Sequence, residues 1–354
     1  FGSSLFGFTY LVPQAVSHGA CADRMSRFAV ALLPFLVAGD HTEEMFNEFA
    51  KAFNKTYGSL EERATRLAVF AENLLHIERL KQVEEGNAKY SYLTPFADIS
   101  PDEFSKRHGF RAADWAPNVV SRPEATDLPD SFDWRAKGAV NEVKNQQQCG
   151  SCWSFATVAN IEGAAFVATK KLVSLSEQEL VDCDKATGDQ GCSGGLPSNA
   201  FKDMIQSKIG LETEEAYPYT AKDGKCQASS SKEVAFIGNW TAISTDEDLI
   251  AAALMQYGPL AIGINAGPMQ FYSGGISKPW KILCNPQKLD HGVAIVGFGV
   301  ESGTKYWIIR NSWGPSWGEK GYYRIIRGTG ACGVNTMVST ATNVQLKTSA
   351  EVVV

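Results

Sequence analysis

The stretch Gln146-Gln147-Gln148-Cys149-Gly150-Ser151-Cys152-Trp153-Ser154-Phe155 decides how the rest of the chain is read. Its second cysteine opens an apolar, alanine-containing run, 152–169, with no glycine or proline before Gly163. That run predicts a buried helix beginning near Cys152. A thiol at a helix N-terminus sits at the positive end of the helix dipole, which favours the thiolate, the nucleophilic form. Taken alone, a cysteine in an apolar helix is more often a structural thiol. The rest of the sequence has to decide between the two.

Working outward, the cysteines stand at 21, 149, 152, 183, 192, 226, 284 and 332. Met25-Ser26-Arg27 followed by the apolar run Phe28–Ala38 and the small pair Ala38-Gly39 predicts a secretory signal peptide over 25–39. Residues 1–24 are an upstream segment to which no role is assigned. Secretion implies an oxidising compartment, where cysteines pair. With Cys21 set aside as lying before the signal, seven remain, so at least one thiol has no intramolecular partner. Histidines occur at 18, 41, 76, 108 and 291, and only His291 follows position 128. A Cys-His pair formed within that later region has no other base.

Cleaving a peptide bond requires a nucleophile, its base, a group that orients the base, and donors for the developing oxyanion. Asn311 offers a side-chain oxygen to His291 without adding a charge, and Trp313 can shield that bond from water. Gln146 can aim an amide N–H at the oxyanion, with the backbone N–H of Cys152 as the second donor.

The chain has 354 residues, 44% hydrophobic and 20% charged, which is ordinary for a globular protein. Its net charge of −6 gives no electrostatic case for nucleic acid. After the signal no uninterrupted apolar run of about 18 residues occurs, so no stable membrane span is expected. Residues 42–83 predict two helices: Phe46, Phe49 and Phe53 share one face, as do Leu67, Phe70, Leu74 and Ile77, with Gly58 and Ser59 between. Residues 111–130, with Pro117, Pro123 and Pro129, predict an exposed, cleavable linker. Further helices are expected over 175–182 and 196–208. Strands are expected at 261–264, 292–296, 305–309 and 322–326. Helices followed by strands give an α+β fold in two lobes, with a cleft between them.

These segments resemble the papain/cathepsin family of cysteine proteases, cathepsin L/F-like, over about residues 42–340. Cys149-Gly150-Ser151-Cys152-Trp153, Leu289-Asp290-His291-Gly292 and Asn311-Ser312-Trp313-Gly314 match its active-site motifs, and Leu128–Arg135 resembles its mature N-terminus. In the leading region Glu62, Arg66, Phe70, Asn73 and Ile77 fit the family's ERFNIN helix, with Lys81 at its last position. Thr94, Phe96 and Asp98 fit the GNFD-type element, with Tyr92 where glycine is usual.

The resemblance implies a two-lobed papain-like fold, with a helical left lobe and a β-barrel-like right lobe, preceded by a helical inhibitory propeptide. The implied segments are a propeptide (40–127), a peptidase domain (128–345) and a C-terminal tail (346–354). It implies catalysis by Cys152, His291, Asn311 and Gln146, with no cofactor and no metal. Substrate would lie on Gly194, Gly195, Leu196, Pro197, Gly263, Leu289, Gly292, Met337 and Trp313, none of them charged. A hydrophobic residue two positions before the cut would therefore be preferred. The implied disulfides are Cys149–Cys192, Cys183–Cys226 and Cys284–Cys332. The short Cys183–Cys192 spacing and the lack of a His-rich insertion favour endopeptidase action. Asn54 and Asn239 head glycosylation sequons. Expected partners are peptide and protein substrates, the chain's own propeptide and cystatin-like inhibitors, acting on a monomer of the secretory pathway in a lysosome, vacuole or extracellular space. The rival reading is an inactive homologue that binds or inhibits, and the intact set Gln146, Cys152, His291 and Asn311 argues against it.

Overall fold

The computed structural model describes residues 41–347 apart from 118, 126 and 282. The signal segment 25–39, the stretch 1–24 and residues 348–354 of the tail lie outside the described residues. The chain divides into two compact units, Phe1–Glu48 and Phe49–Val354. Of the first, residues 41–48 are described and are helical. All contacts discussed below lie within the second.

Helix α1 covers 41–52 and α2 covers Leu60–Glu84, where the sequence predicts a helix pair. Ser59 starts α2 because its hydroxyl accepts the Glu62 N–H at 3.0 Å, while the Glu62 carboxylate reaches back to the Gly58 N–H at 2.6 Å. Phe70, Asn73, Ile77, Leu80 and Glu84 are buried along one stripe of α2, as helical periodicity requires. Asn73 donates to the carbonyls of Ala97 (2.9 Å) and Ile99 (2.8 Å), tying the following turn to the helix. Of the two departures from the family pattern, Lys81 points to solvent and pairs with Glu78 at 2.7 Å, so it leaves the packing stripe untouched. Tyr92 meets Phe70 edge-on, ring centroids 5.7 Å apart.

Helices α3 (Pro101–Lys106), α4 (Cys152–Thr169), α5 (Glu177–Cys183), α6 (Pro197–Ser207) and α7 (Glu247–Tyr257) follow. The strands are β1 (Ala88–Tyr90), β2 (Val120–Ser121), β3 (Phe132–Asp133), β4 (Ala235–Ile243), β5 (Leu260–Ile264), β6 (Tyr272–Ser277), β7 (His291–Glu301), β8 (Thr304–Arg310), β9 (Tyr322–Ile326) and β10 (Val338–Leu346). They form one sheet in the order β1-β6-β9-β8-β7-β5-β10-β4-β2, with β3 on β7.

The sheet is open among the described residues, which narrows the barrel-like expectation. Both of its outer edges are strands from residues before Leu128. β1 pairs antiparallel with β6, and β2 pairs parallel with β4. The linker is therefore not wholly loop. β2 and a single 3-10 turn at Ala112–Asp114 interrupt it.

α4 is buried on all sides from Cys152 through Ala165, as befits a helix packed between layers, and its polar members are engaged: Asn160 donates to the Pro259 carbonyl at 2.7 Å and Glu162 pairs with Arg310 at 3.4 Å. Gly163 lets it approach the Pro259 ring, which a β-carbon there would overlap. Trp153, Val158 and Ile161 of α4, Phe201 and Met204 of α6, and Ala235 and Val344 from β4 and β10 share one core. Three disulfides join Cys149–Cys192, Cys183–Cys226 and Cys284–Cys332. Cys152 is the free cysteine among the described residues.

Candidate active site

Two elements start at the same place. Cys152 is the first residue of α4 and His291 the first of β7. They meet where the Gly292 N–H donates to Cys152 Sγ at 3.2 Å. Position 292 must be small, since a β-carbon there would lie 3.1 Å from the Cys152 carbonyl oxygen. His291 Nε2 lies 2.8 Å from Asn311 Oδ1. Asn311 Oδ1 also accepts the Ser312 N–H at 2.8 Å, which fixes the amide. That leaves His291 Nδ1 as the ring nitrogen with no hydrogen bond. Trp313 stacks on the imidazole at 4.6 Å and 21° and is itself buried.

Gln146 is held at both ends of its amide. Oε1 accepts from Ser312 Oγ at 2.7 Å and Nε2 donates to the Cys149 carbonyl at 3.0 Å. One Nε2 proton is left over. The Tyr219 hydroxyl bonds the Gln146 carbonyl at 3.0 Å and lies 2.6 Å from Ser151 Oγ, bracing the turn that leads into α4. The sequence motif contains Ser312 but gives it no role, and nothing in the sequence marks Tyr219. The position of Ser312 beside Asn311 was the available signal.

The leading segment fills the cleft, and the residues that do so come from its end. The Gly195 N–H donates to the Gly109 carbonyl at 2.9 Å and the Arg111 N–H to the Gly195 carbonyl at 3.0 Å, a parallel bridge centred on Phe110 and Gly195. Gly195 has no room for a side chain: a β-carbon would lie 2.6 Å from the Trp153 ring and 2.8 Å from the Asp189 carboxyl carbon. Leu196 and Pro197 are buried at the start of α6. Phe110 sits against Gly263 and Gly292, and Leu289 borders Gly263 beside it. β-Carbons at Gly263 and Gly292 would lie 2.6 and 3.2 Å from its ring. Met337 is half-buried beside them, its carbonyl accepting the Gly263 N–H at 3.1 Å. The sequence offered no cue for Gly109 or Phe110. Asn54 and Asn239 are both exposed.

The expectation of a lowered thiol pKa does not hold for this covered state. Burial pushes the Cys152 thiol up to about 12, with the Gly292 and Trp153 N–H groups opposing and the Asp290 charge adding to the rise. Burial likewise lowers His291 to about 4, against the Asn311 hydrogen bond. Both residues are fully buried, so each charged form loses its hydration and the pair rests as thiol and neutral imidazole.

The thiol that opens α4, the imidazole that opens β7 and the amide bonded to that imidazole are gathered at one place and covered by the chain's own leading segment, the arrangement of a thiol-dependent hydrolase held closed. The comparisons with known proteins agree. Residues 128–342 match the papain family cysteine protease model, and 46–104 match the cathepsin propeptide inhibitor domain (I29). The chain belongs to the papain family of cysteine proteases. It is 44% identical to cysteine proteinase 15A of Pisum sativum over 86% of this chain and 88% of that one. It is also 44% identical to cathepsin F of Mus musculus, covering 84% of this chain and 64% of that protein's length. Among solved structures, digestive procathepsin L 3 of Tenebrio molitor larval midgut superposes with a TM-score of 0.75 at 36% identity, over 85% of this chain and 98% of that one.

Proposed function

We propose that the chain is the zymogen of an endopeptidase whose nucleophile is Cys152 and whose base is His291. The observation that carries this is the contact of Gly292 N–H with Cys152 Sγ, which sets the thiol beside a histidine already oriented by Asn311. Once the cleft is open to water and substrate, His291 Nδ1 takes the thiol proton. Cys152 Sγ then attacks the peptide carbonyl carbon, and the oxyanion accepts hydrogen bonds from the remaining Gln146 Nε2–H and the Cys152 N–H. His291 returns its proton to the leaving amine as the C–N bond breaks, leaving a thioester. Water, deprotonated by His291, attacks the thioester; the carboxylic acid leaves and the thiol is restored.

A hydrophobic residue two positions before the cut fits a pocket of Gly263, Gly292, Leu289 and Met337, which the protein's own Phe110 occupies. Residues 40–127 act as the inhibitor and 128–345 as the peptidase, with entry to the secretory pathway through 25–39 and a lysosomal, vacuolar or extracellular address. The enzyme works as a monomer, is open to cystatin-like inhibitors once uncovered, and carries glycans at Asn54 and Asn239.

Acid-processed protein treated with a thiol-directed epoxide should be labelled at Cys152 and lose activity together with the label. Labelling without any prior peptide hydrolysis would favour the binding homologue. A peptide library should show Leu or Phe ahead of Arg at the second position before the cut, and the reverse order would reject the pocket assignment.

A further inference from the structure

His108 stands beside the cleft-filling Gly109-Phe110, at a position whose sequence context gave it no role. It is 2% exposed and lies among three rings. Phe104 meets it edge-on at 4.5 Å, His291 lies at 4.7 Å and 43°, and Trp313 stacks at 5.4 Å and 23°. Neither ring nitrogen has a hydrogen-bond partner. Asp290 Oδ2 is 3.9 Å from Nδ1, outside hydrogen-bond reach, and the other Asp290 oxygen already accepts the Ala266 N–H at 2.8 Å.

The groups that face His108 carry little to hold a cation. α3 offers Phe104 and the Trp313 loop offers an indole, neither of them charged. Asp290 and His291 face it from the entry to β7, and His108's own segment adds Arg107. A neutral imidazole tolerates such a nest. An imidazolium would bring a charge and two N–H donors into it without solvation.

We infer that His108 is an acid-release latch: its neutral ring seals the catalytic His291 and Trp313, and its protonation expels the leading segment from the cleft. The inference rests on reading Cys152 as the nucleophile and residues 40–127 as its inhibitor. Burial, then the positive fields of His291 and Arg107, holds the His108 ring well below the usual imidazole range. A freed imidazole titrates near about 6.5. The covered form thus binds fewer protons than the open one. Its closure is complete above about pH 6.5 and is lost as pH falls below that. A cavity of about 460 Å³ is lined by Arg107 and Trp313, both neighbours of His108. His291 is freed as well, but on opening it takes the proton of the Cys152 thiol, so that pair binds one proton in either form. Two other groups could supply a pH response. Asp98 is engaged by Lys55 (2.8 Å) and Tyr57 (3.2 Å), both within the leading segment itself. His76 packs on Phe271 at 5.7 Å and is only partly buried.

The test is the rate at which iodoacetamide alkylates Cys152 in the intact chain, divided by the rate in processed enzyme at the same pH. This ratio reads opening and needs no peptide hydrolysis. For the wild type it should rise about tenfold per pH unit as pH falls below about 6.5. In His108→Phe and His108→Gln it should stay flat over that range, while Asp98→Asn and His76→Gln keep the rise. Either folded His108 variant that retains the wild-type rise overturns the inference, as does loss of the rise in Asp98→Asn alone. Should both His108 variants fail to fold, histidine NMR of the intact Cys152→Ala chain decides. Titration of His108 near pH 6.5 while the segment stays docked overturns the latch; protonation only together with undocking supports it. Position 108 is absent from the processed enzyme, so an enzyme inactive on peptides would refute the proposed function while the opening ratio still judged the latch.

Discussion

At the residue scale, each candidate side chain is fixed by a second group. Ser312 holds Gln146, Asn311 holds His291, and the Gly292 N–H meets the thiol. Replacing Gln146 with Ala removes one oxyanion donor and leaves the Ser312 hydroxyl without its acceptor. Such a donor is worth roughly 10²–10³ in kcat. Steady-state kinetics on processed Gln146→Ala should show a fall of that order in kcat with KM little changed. A fall confined to KM would mean that Gln146 serves binding alone. The motif residues were legible because they are rare types at telling positions, above all the one histidine after residue 128. His108, Gly109 and Phe110 were not legible, since nothing in a linear reading says which part of a leader will enter a cleft.

At the element scale, α4 is tightly fitted. A β-carbon at Gly163 would overlap Pro259, and overpacking of this kind costs about 1–3 kcal/mol. Gly163→Ala should therefore lower the melting temperature measurably while leaving kcat of the folded enzyme near wild type.

The loop before α6 holds a buried carboxyl pair. Asp189 Oδ1 accepts the Leu196 N–H at 3.0 Å and Asn199 Nδ2 at 3.1 Å, while Oδ2 of Asp189 and Oδ2 of Asp184 are buried with no N–H donor, as two carboxyls sharing a proton would be. Burial first, then the charge of Asp189, raises Asp184 well above the usual carboxyl range, and burial raises Asp189 too. The folded state keeps a proton that the unfolded chain gives up near pH 4. This contribution is therefore full below about pH 4 and is lost as pH rises through the raised values. Asp184→Asn, which keeps the hydrogen bond without titrating, should flatten the decline of melting temperature between pH 5 and 8. An unchanged pH slope would show that the pair shares no proton.

The elements that carry strong periodicity or β-rich runs, namely α2, α4, β5 and β7–β9, stood near where the sequence put them. β4 and β10 were not marked as strands. β4 mixes buried and exposed positions without strict alternation, and β10 is Thr- and Ser-containing, so neither shows a clear period of two.

Across the whole molecule, the leading segment does more than fill the cleft. It supplies both edge strands of the sheet and a buried anchor. The Glu84 carboxylate accepts from Tyr90 Oη and Ser277 Oγ, each at 2.8 Å, and from the Lys278 N–H at 2.7 Å. Glu84→Ala would strand Ser277 and Lys278 in the interface, at about 1–3 kcal/mol for an unsatisfied buried group. Since 1.4 kcal/mol corresponds to a factor of ten, the intact chain should be alkylated at Cys152 roughly 5- to 140-fold faster at pH 7 than wild type. No change would mean that the cleft contacts alone hold the segment. Losing that segment also exposes the edges of β6 and β4, an aggregation hazard that the covered form avoids.

The sequence by itself determined the nucleophile, base and orienter candidates, the α+β order and the leading helix pair, because rare residue types and strong periodicities are local signals. Tertiary structure alone decided the open sheet, the Phe110 seat, the neutral state of the Cys152–His291 pair and the placing of His108 on His291. Each of these depends on burial created by segments far apart in the chain, and burial is what sets which side chains can be charged.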